Sequence, residues 1–346
     1  MPLQTNELER NADSIKRHFA LALKLQPTST TRKPLRVAIT GATGFAGRPI
    51  LQAVLAQGHI VSTLVRSPQT QIFPPAVTIV KGGLSDPQSL QTLVQGVDAV
   101  VHVAGAISAV NRNEFFAVNA TGTHNMMAAA RAAGVKRFIH ISSLAARHPH
   151  LSHYAASKAT AEQEVQSTNG SMATLILRPA AIYGPGDRAT LPLLQQLMRP
   201  TAILPGRETN KFSLLHVDDF AAIVATTLTQ PTTGLREIDD TQGGHSWPAI
   251  ANMLQPLFGK PKRVIYLPQL LAMAIARVAD LAGSVKGSST MISTGKMREM
   301  YHPDWVASGP GWPRPDPVLL RDGLQKTINW YIEAGWIKAA PTGTNQ

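Results

Sequence analysis

Cysteine is missing from all 346 residues, which excludes disulfides and thiolate metal sites. Lys and Arg number 33 against 21 Asp and Glu, a formal charge of +12, yet no long run of either sign occurs. The surplus therefore reads as a solvated basic surface and not as a nucleic-acid tract. No stretch matches the roughly 20 uncharged apolar residues of a membrane-spanning helix. The longest candidate, Val264 to Val285, is interrupted by Pro268, Gln269, Arg277 and Asp280. It reads as a helix over a pocket, with peripheral lipid contact left open. There is no internal repeat. Glu7, Glu9 and Asp13 break up the N-terminus, which lacks the apolar core of a secretory leader. The expectation is a cytoplasmic protein without a transmembrane segment. Its 44% hydrophobic and 16% charged residues suit a sizeable core in one or two domains.

What is present is organised around Thr40-Gly41-Ala42-Thr43-Gly44-Phe45-Ala46-Gly47. Apolar Leu35 to Ile39 predicts a strand before it, and Pro49 to Leu55 a helix after it. Glycines at 41, 44 and 47 let backbone N–H groups approach a phosphate that a Cβ would block. The helix N-terminus adds a partial positive charge. A glycine triplet between strand and helix is the context of the dinucleotide fingerprint. Upstream, Ser14 to Leu25 has the spacing of a short basic amphipathic helix, and Gln26 to Pro34 reads as a linker. Residues 1–34 are therefore expected to be a flexible appendage.

Five more strands are predicted, at Ile60 to Val65, Val77 to Val80, Asp98 to Val103, Arg137 to Ser142 and Ala173 to Leu177. Helices alternate with them, at about Asn113 to Ala133 and at Tyr154 to Gln166. This pattern predicts an α/β fold, a doubly wound parallel sheet of the Rossmann type, with ligands at the carboxyl ends of its strands. Ala104, Gly105 and Ala106, past the fourth strand, are small enough for a cofactor to lie on backbone. NAD enzymes place Asp or Glu after the second strand to hold the ribose hydroxyls. Here Arg66 stands without an acid nearby, and a guanidinium suits a 2′-phosphate. NADP(H) is favoured; NAD(H) stays open. After Ala180 the alternation breaks. Phe212 to Val217 is expected to return to the sheet, followed by a helix over Asp218 to Leu228 that Asp218 and Asp219 cap. Leu319, Leu320, Leu324, Ile328, Trp330 and Tyr331 of a last helix, Asp316 to Ala334, are expected in the core. The predicted division is a Rossmann domain at 35–180 plus about 212–240, a substrate-side region at 181–211 plus about 241–339, and a tail at 340–346.

Tyr154 and Lys158 are four residues apart on a predicted helix and share one face. A free phenol has a pKa of about 10, and a nearby ammonium lowers it. So tuned, Tyr154 can exchange a proton with a hydroxyl or carbonyl. Ser143, just past the fifth strand, can bond the same oxygen. His148, His150 and His153 lie in the loop between them, with no carboxylate close in sequence. A substrate-facing His or a plain loop is preferred there over a metal site.

These motifs resemble the extended short-chain dehydrogenases/reductases of the NAD(P)-dependent epimerase/dehydratase type. The resemblance rests on Thr40 to Gly47, Val101-His-Val-Ala-Gly105, Val118-Asn-Ala-Thr-Gly-Thr123, Ile141-Ser-Ser143, Tyr154-x-x-x-Lys158, Arg178-Pro-Ala-Ala-Ile-Tyr-Gly-Pro185 and His216-Val-Asp-Asp219, in the family's order. It implies that Tyr154 is the acid/base, that Lys158 binds the nicotinamide ribose and tunes it, and that Ser143 orients the substrate. It also implies that Asn119 helps to hold the helix and a water near the lysine, and that Pro179 and Ile182 lie along the nicotinamide. Family members are often dimers through a pair of helices.

Two departures stand out. Gly82-Gly83-Leu84 replaces the usual Asp after the third strand, so the adenine would meet backbone or Leu84. The stretch between Ser143 and Tyr154 is shorter than usual. The function expected is hydride transfer at a hydroxyl or carbonyl of a small, fairly apolar substrate. The alternatives are a sugar-nucleotide epimerase or dehydratase holding NAD tightly, and a non-catalytic cofactor-sensing or assembly protein.

Overall fold

On the first strand, β1 (Arg36–Thr40), successive side chains take opposite faces, as the period of two requires. Val37 and Ile39 enter one apolar cluster and Ala38 another. This is the pattern of a strand covered on both sides. The structure is a computed structural model that describes residues 33–67, 73–167, 170–258, 263–286 and 292–338. The expected appendage up to residue 32 and the tail beyond residue 338 lie outside the described residues.

From β1 the chain passes into α1 (Gly47–Ala56), β2 (Ile60–Val65), β3 (Val77–Lys81), α2 (Pro87–Val94) and β4 (Ala99–His102). A short helix α3 (Arg112–Phe116), a π turn (Ala117–Thr121) and α4 (Gly122–Ala132) lead to β5 (Arg137–Ile141), α5 (His153–Gln166) and β6 (Ala173–Pro179). Beyond them come β7 (Ala181–Tyr183), α6 (Leu191–Leu197), β8 (Thr201–Leu204), β9 (Lys211–Phe212), β10 (Leu214–His216) and α7 (Val217–Thr227). The remainder is β11 (Gly234–Ile238), α8 (Trp247–Phe258), β12 (Arg263–Tyr266), α9 (Gln269–Lys286), α10 (Thr294–Tyr301), β13 (Asp304–Trp305) and α11 (Leu320–Glu333).

Seven strands form one parallel sheet in the order β11-β6-β5-β4-β1-β2-β3. The order reverses between β1 and β4, where Thr40 pairs with His102. That is the switch point at which ligands of such sheets bind. Ile50, Leu51 and Val54 of α1 pack on one face with Phe220, Ile223 and Val224 of α7. Leu90 and Leu93 of α2, Met126 and Ala130 of α4, and Val165 of α5 cover the other. A third cluster gathers α6, β8, α8 and α11, through Leu194, Leu204, Ile250, Leu324 and Tyr331 among others.

The six predicted strands are present, and four expectations are corrected. The segment Phe212 to Val217 does not return to the main sheet. Its Leu214–His216 pairs with β7 in a separate two-stranded sheet, and the seventh strand is Gly234–Ile238, paired to β6. That strand carries Arg236 and Glu237 at its centre, which masked it as a strand. Asp218 and Asp219 do not cap α7; the His216 ring does, accepting from Asp218 N at 3.3 Å. Leu319 is exposed, because it precedes α11 as its N-cap residue. The first part of the 264–285 stretch is strand β12, paired to β8, and only its remainder is helical.

Asp219 instead latches the C-terminal segment onto α7. It accepts from Arg314 Nη1 at 2.8 Å and from Val318 N at 3.1 Å, with both charged side chains buried. Removing one partner of such a pair strands the other in the interior. Asp219→Ala should therefore cost about 3–5 kcal/mol, read as a lower urea midpoint; a midpoint unchanged from the parent would show that the latch does not hold the segment.

Candidate active site

The loop after β1 is shaped by a close backbone approach. Gly41 has φ +74, and a Cβ built on it would lie 2.7 Å from Ala104 N in the loop after β4. Any side chain here would force the two loops apart. A Cβ on Gly47 would strike the Gly41 carbonyl. Gly44 N donates to Gly41 O at 3.0 Å, which closes the turn. Thr43 and Gly44 are exposed, and α1 starts after Ala46, its N-cap residue, with no side-chain cap and no acid in its first turn. The N–H groups and dipole of a ten-residue helix are thus presented at a surface free of side-chain bulk. This cradle fits the pyrophosphate of a dinucleotide. Phe45 borders it, its ring 4.0 Å from a Cβ built on Gly186.

Arg66 follows β2 directly and is exposed. Lys81, exposed at the end of β3, pairs with Val65 and so stands beside it across the sheet. Leu84 packs on α4, where a Cβ on Gly122 would lie 2.7 Å from its Cδ1, and its carbonyl accepts from Asn125 at 2.9 Å. Pro179 is buried at the end of β6, and Ile182 sits half-buried in β7 against the sheet's core.

Ser143, Tyr154 and Lys158 converge at the carboxyl end of β5. Ser143 starts a 3₁₀ turn, its Oγ accepting from Ala145 N at 3.2 Å, and its side chain lies close enough to Tyr154 to pull the phenol's pKa down. Ser152 caps α5, accepting from Ala155 N at 2.9 Å, which fixes the helix start one residue before His153 and two before Tyr154. One turn on, Lys158 is buried, and its Nζ donates to the Ile141 carbonyl at 2.6 Å. Asn119, buried in the π turn, accepts from Ala106 N at 2.7 Å and donates to Ala106 O at 3.0 Å and Ser157 Oγ at 2.9 Å. Ser157 in turn donates to the Tyr154 carbonyl at 2.7 Å. A Cβ on Gly105 would come within 3.8 Å of Lys158 Nζ. The structure thus brings Gly105, Ala106, Asn119, Ser143, Tyr154 and Lys158 together. The arrangement can hold a dinucleotide's nicotinamide end and pass a proton beside it.

Comparison with known proteins agrees with this geometry. Residues 37–239 match the model of the NAD dependent epimerase/dehydratase family. The chain belongs to this family. It is an NAD(P)-dependent oxidoreductase of the extended short-chain class. A ceramide reductase of Caulobacter vibrioides is 38% identical over 306 residues, covering 87% of this chain and 96% of that protein. A 2-alkyl-3-oxoalkanoate reductase of Stenotrophomonas maltophilia is 33% identical over 208 residues, 54% of this chain and 63% of that one. Among solved structures, a dTDP-glucose 4,6-dehydratase of Streptomyces venezuelae with NAD bound superposes with a TM-score of 0.66. It covers 88% of this chain and 99% of its own, at 22% identity, a likeness of fold.

Within the family site, three groups escaped the reading of the sequence. Glu162, one turn beyond Lys158, accepts from Arg178 at 2.8 and 2.6 Å and from Ser142 Oγ at 2.5 Å. Its i,i+4 spacing from Lys158 was a usable signal. Ser157 was hidden by its ordinary helical context. Glu299 of α10 accepts from Ser152 Oγ at 2.5 Å, and nothing local announces a contact across 147 residues. In the loop, His148 packs on the His302 and Trp305 rings, with centroids 4.2 and 5.4 Å away. His153, the first residue of α5, is exposed. Among the described residues no three His, Asp or Glu side chains gather as a metal site.

The expected acidic phenol is corrected. Burial pushes Tyr154 up to about 12, Ser143 pulls it down by a smaller amount, and Glu299 pushes it further up. The i,i+4 spacing did not place the ammonium to offset burial, because Lys158 is engaged by the Ile141 carbonyl. Burial lowers Lys158 itself to about 8, with Glu162 opposing. Between its folded value and the ordinary 10.5, the unfolded chain binds a proton at Lys158 that the folded chain has released. This group's contribution to stability therefore rises with pH across that window, by roughly 3 kcal/mol in total. Above about pH 10 Tyr154 acts the other way, since only the unfolded phenol ionises. Urea unfolding of the parent, compared with Lys158→Met, should show this rise between about pH 8 and about pH 10. In Glu162→Gln its onset should move to lower pH. Parallel pH profiles for parent and Lys158→Met would contradict the assignment.

Proposed function

We propose that the protein is a reductase that uses NADPH to reduce the ketone form of a ceramide-type lipid. The observation that carries this reading is the 38% identity to a ceramide reductase over 96% of that protein. Its span of 306 residues exceeds the family match at 37–239, so the likeness is not confined to the coenzyme fold. The reductase name shared by the second relative supports the same direction of reaction.

A dinucleotide held in the cradle after β1 would supply the hydride. Ser143 and Tyr154 hold the carbonyl oxygen, and Tyr154 gives it a proton as it becomes an alcohol. A phenol with a pKa of about 12 is fully protonated at neutral pH, and so is poised to donate. A developing alkoxide is more basic still, so the transfer runs downhill. Lys158 and Asn119 orient the sugar, and Asn119 also ties α5 to the Ala104–Ala106 loop through Ser157 and Ala106. Arg66 and Lys81, at the ends of adjacent strands with no acid between them in the register, favour a 2′-phosphate and hence NADP(H).

Tyr154→Phe should lower turnover of a ketone-form ceramide in detergent by about 10²–10⁴ and leave NADPH binding intact. Turnover equal to the parent's would remove Tyr154 from the reaction. Absence of NADPH oxidation with this lipid, in a protein that binds NADPH, would exclude the substrate class. Arg66→Ala should weaken NADP(H) by about tenfold and spare NAD(H). Tighter binding of NAD(H) by the parent would end the preference.

A further inference from the structure

The outward face of α9 is apolar and open. Ala272 and Ala276 turn inward onto Met297 and Tyr301 of α10. Leu270, Leu271, Ile275, Val278 and Leu281 turn outward, with Leu270 87% exposed and Val278 and Leu281 each 69% exposed. At one residue per 100°, these five side chains span an arc of about 140°, and among residues 270–283 only Ala274 and Ala282 stand between them. Arg277 lies at the rim and is exposed. An apolar arc of this extent marks a contact surface.

The charges of the segment that carries it select the partner. Residues 260–299 contain Lys260, Lys262, Arg263, Arg277, Lys286, Lys296 and Arg298 against only Asp280 and Glu299. Both acids are engaged inside the fold. Asp280 accepts from Thr294 N at 2.9 Å and Thr294 Oγ1 at 2.7 Å, and Glu299 is buried against Ser152 and Lys296. Arg263, Arg277, Lys296 and Arg298 are exposed. A second copy of this chain would bring the same basic rim and the same +12 charge, which opposes a self-contact. No helix among the described residues is long and apolar enough to cross a membrane.

We propose that the outward face of α9 lies in the surface of an anionic lipid bilayer, its leucines in the acyl boundary and its basic rim at the headgroups. An amphipathic helix with basic flanks binds such an interface by burying its apolar face while the rim attracts anionic lipid. The face is one helix removed from the catalytic centre. A Cβ on Gly295, in the first turn of α10, would lie 2.9 Å from Ser152 Cβ, and Ser152 caps the helix that carries Tyr154. Docking stands independently of the ceramide reading, because its test requires no turnover.

The test is flotation of the full chain with vesicles of phosphatidylcholine alone or with about a third phosphatidylglycerol. The parent should float with the anionic vesicles, and less with neutral ones or at high salt. The variant Leu270→Glu/Val278→Glu/Leu281→Glu should lose binding by about tenfold or more, while its melting temperature and NADPH binding stay at the parent's values. Arg277→Glu should weaken binding to anionic vesicles only. Failure of the parent to float with anionic vesicles would overturn the proposal, as would equal flotation of the triple variant. A lipid-free dimer that the triple variant dissociates would assign the face to a second copy and overturn it too.

Discussion

The site depends on a backbone contact with no side chain in it. Gly41 approaches Ala104 so closely that a single methyl group would not fit, and this happens where the sheet reverses its direction of winding. Two parallel strands end there side by side, each followed by a loop of small residues. The geometry of the loops follows from the sheet register, Thr40 opposite His102, and Thr40 Oγ1 bonds both the His102 ring at 2.8 Å and Ala104 N at 3.2 Å. Hydrogen bonds under the loops and exposed N–H groups above them arise from the same pairing. A coenzyme cradle built this way is as rigid as the sheet itself.

The second organising element is a chain of charges that joins α5 to the sheet. Arg178 at the end of β6 grips Glu162 of α5 with two hydrogen bonds and reaches Glu237 of β11 at 3.4 Å. Glu237 also takes Arg147, which donates in turn to the carbonyls of Asp304 and Val306. The 3₁₀ turn after Ser143, α5, the edge strand β11 and the segment at 304–306 are thereby tied at one place. Buried charges of this kind add little net stability. Here they fix the direction of α5 relative to the sheet, and with it the positions of Tyr154 and Lys158 one turn apart.

Much of this was legible in the residues. The Rossmann strands announce themselves as apolar runs followed by turn residues, and the glycine spacing marks the cradle because no other residue survives there. Tyr154 and Lys158 were recognisable from helical spacing. The sequence was silent where contacts are distant or where polarity disguises structure. Gly234–Ile238 carries Arg236 and Glu237 and did not read as a strand, although Glu237 earns its place by binding two arginines from other elements. Glu299 reaches Ser152 at the start of α5 only because α10 folds back across 147 residues of chain. The phenol's rise in pKa was also hidden, since helical spacing says nothing of burial.

The π turn at Ala117–Thr121 has a consequence for how the family helix does two jobs at once. A wider turn accommodates one extra residue, so the segments before and after it are rotated out of phase with each other. Downstream, Met126, Met127 and Ala130 mesh with the sheet, a fit that tolerates no rotation. The offset lets Asn119 grip Ala106 without disturbing that fit, much as a half-tooth shim retimes one gear on a shared shaft. Shortening the segment by one residue would restore an even pitch and force a choice between the two engagements.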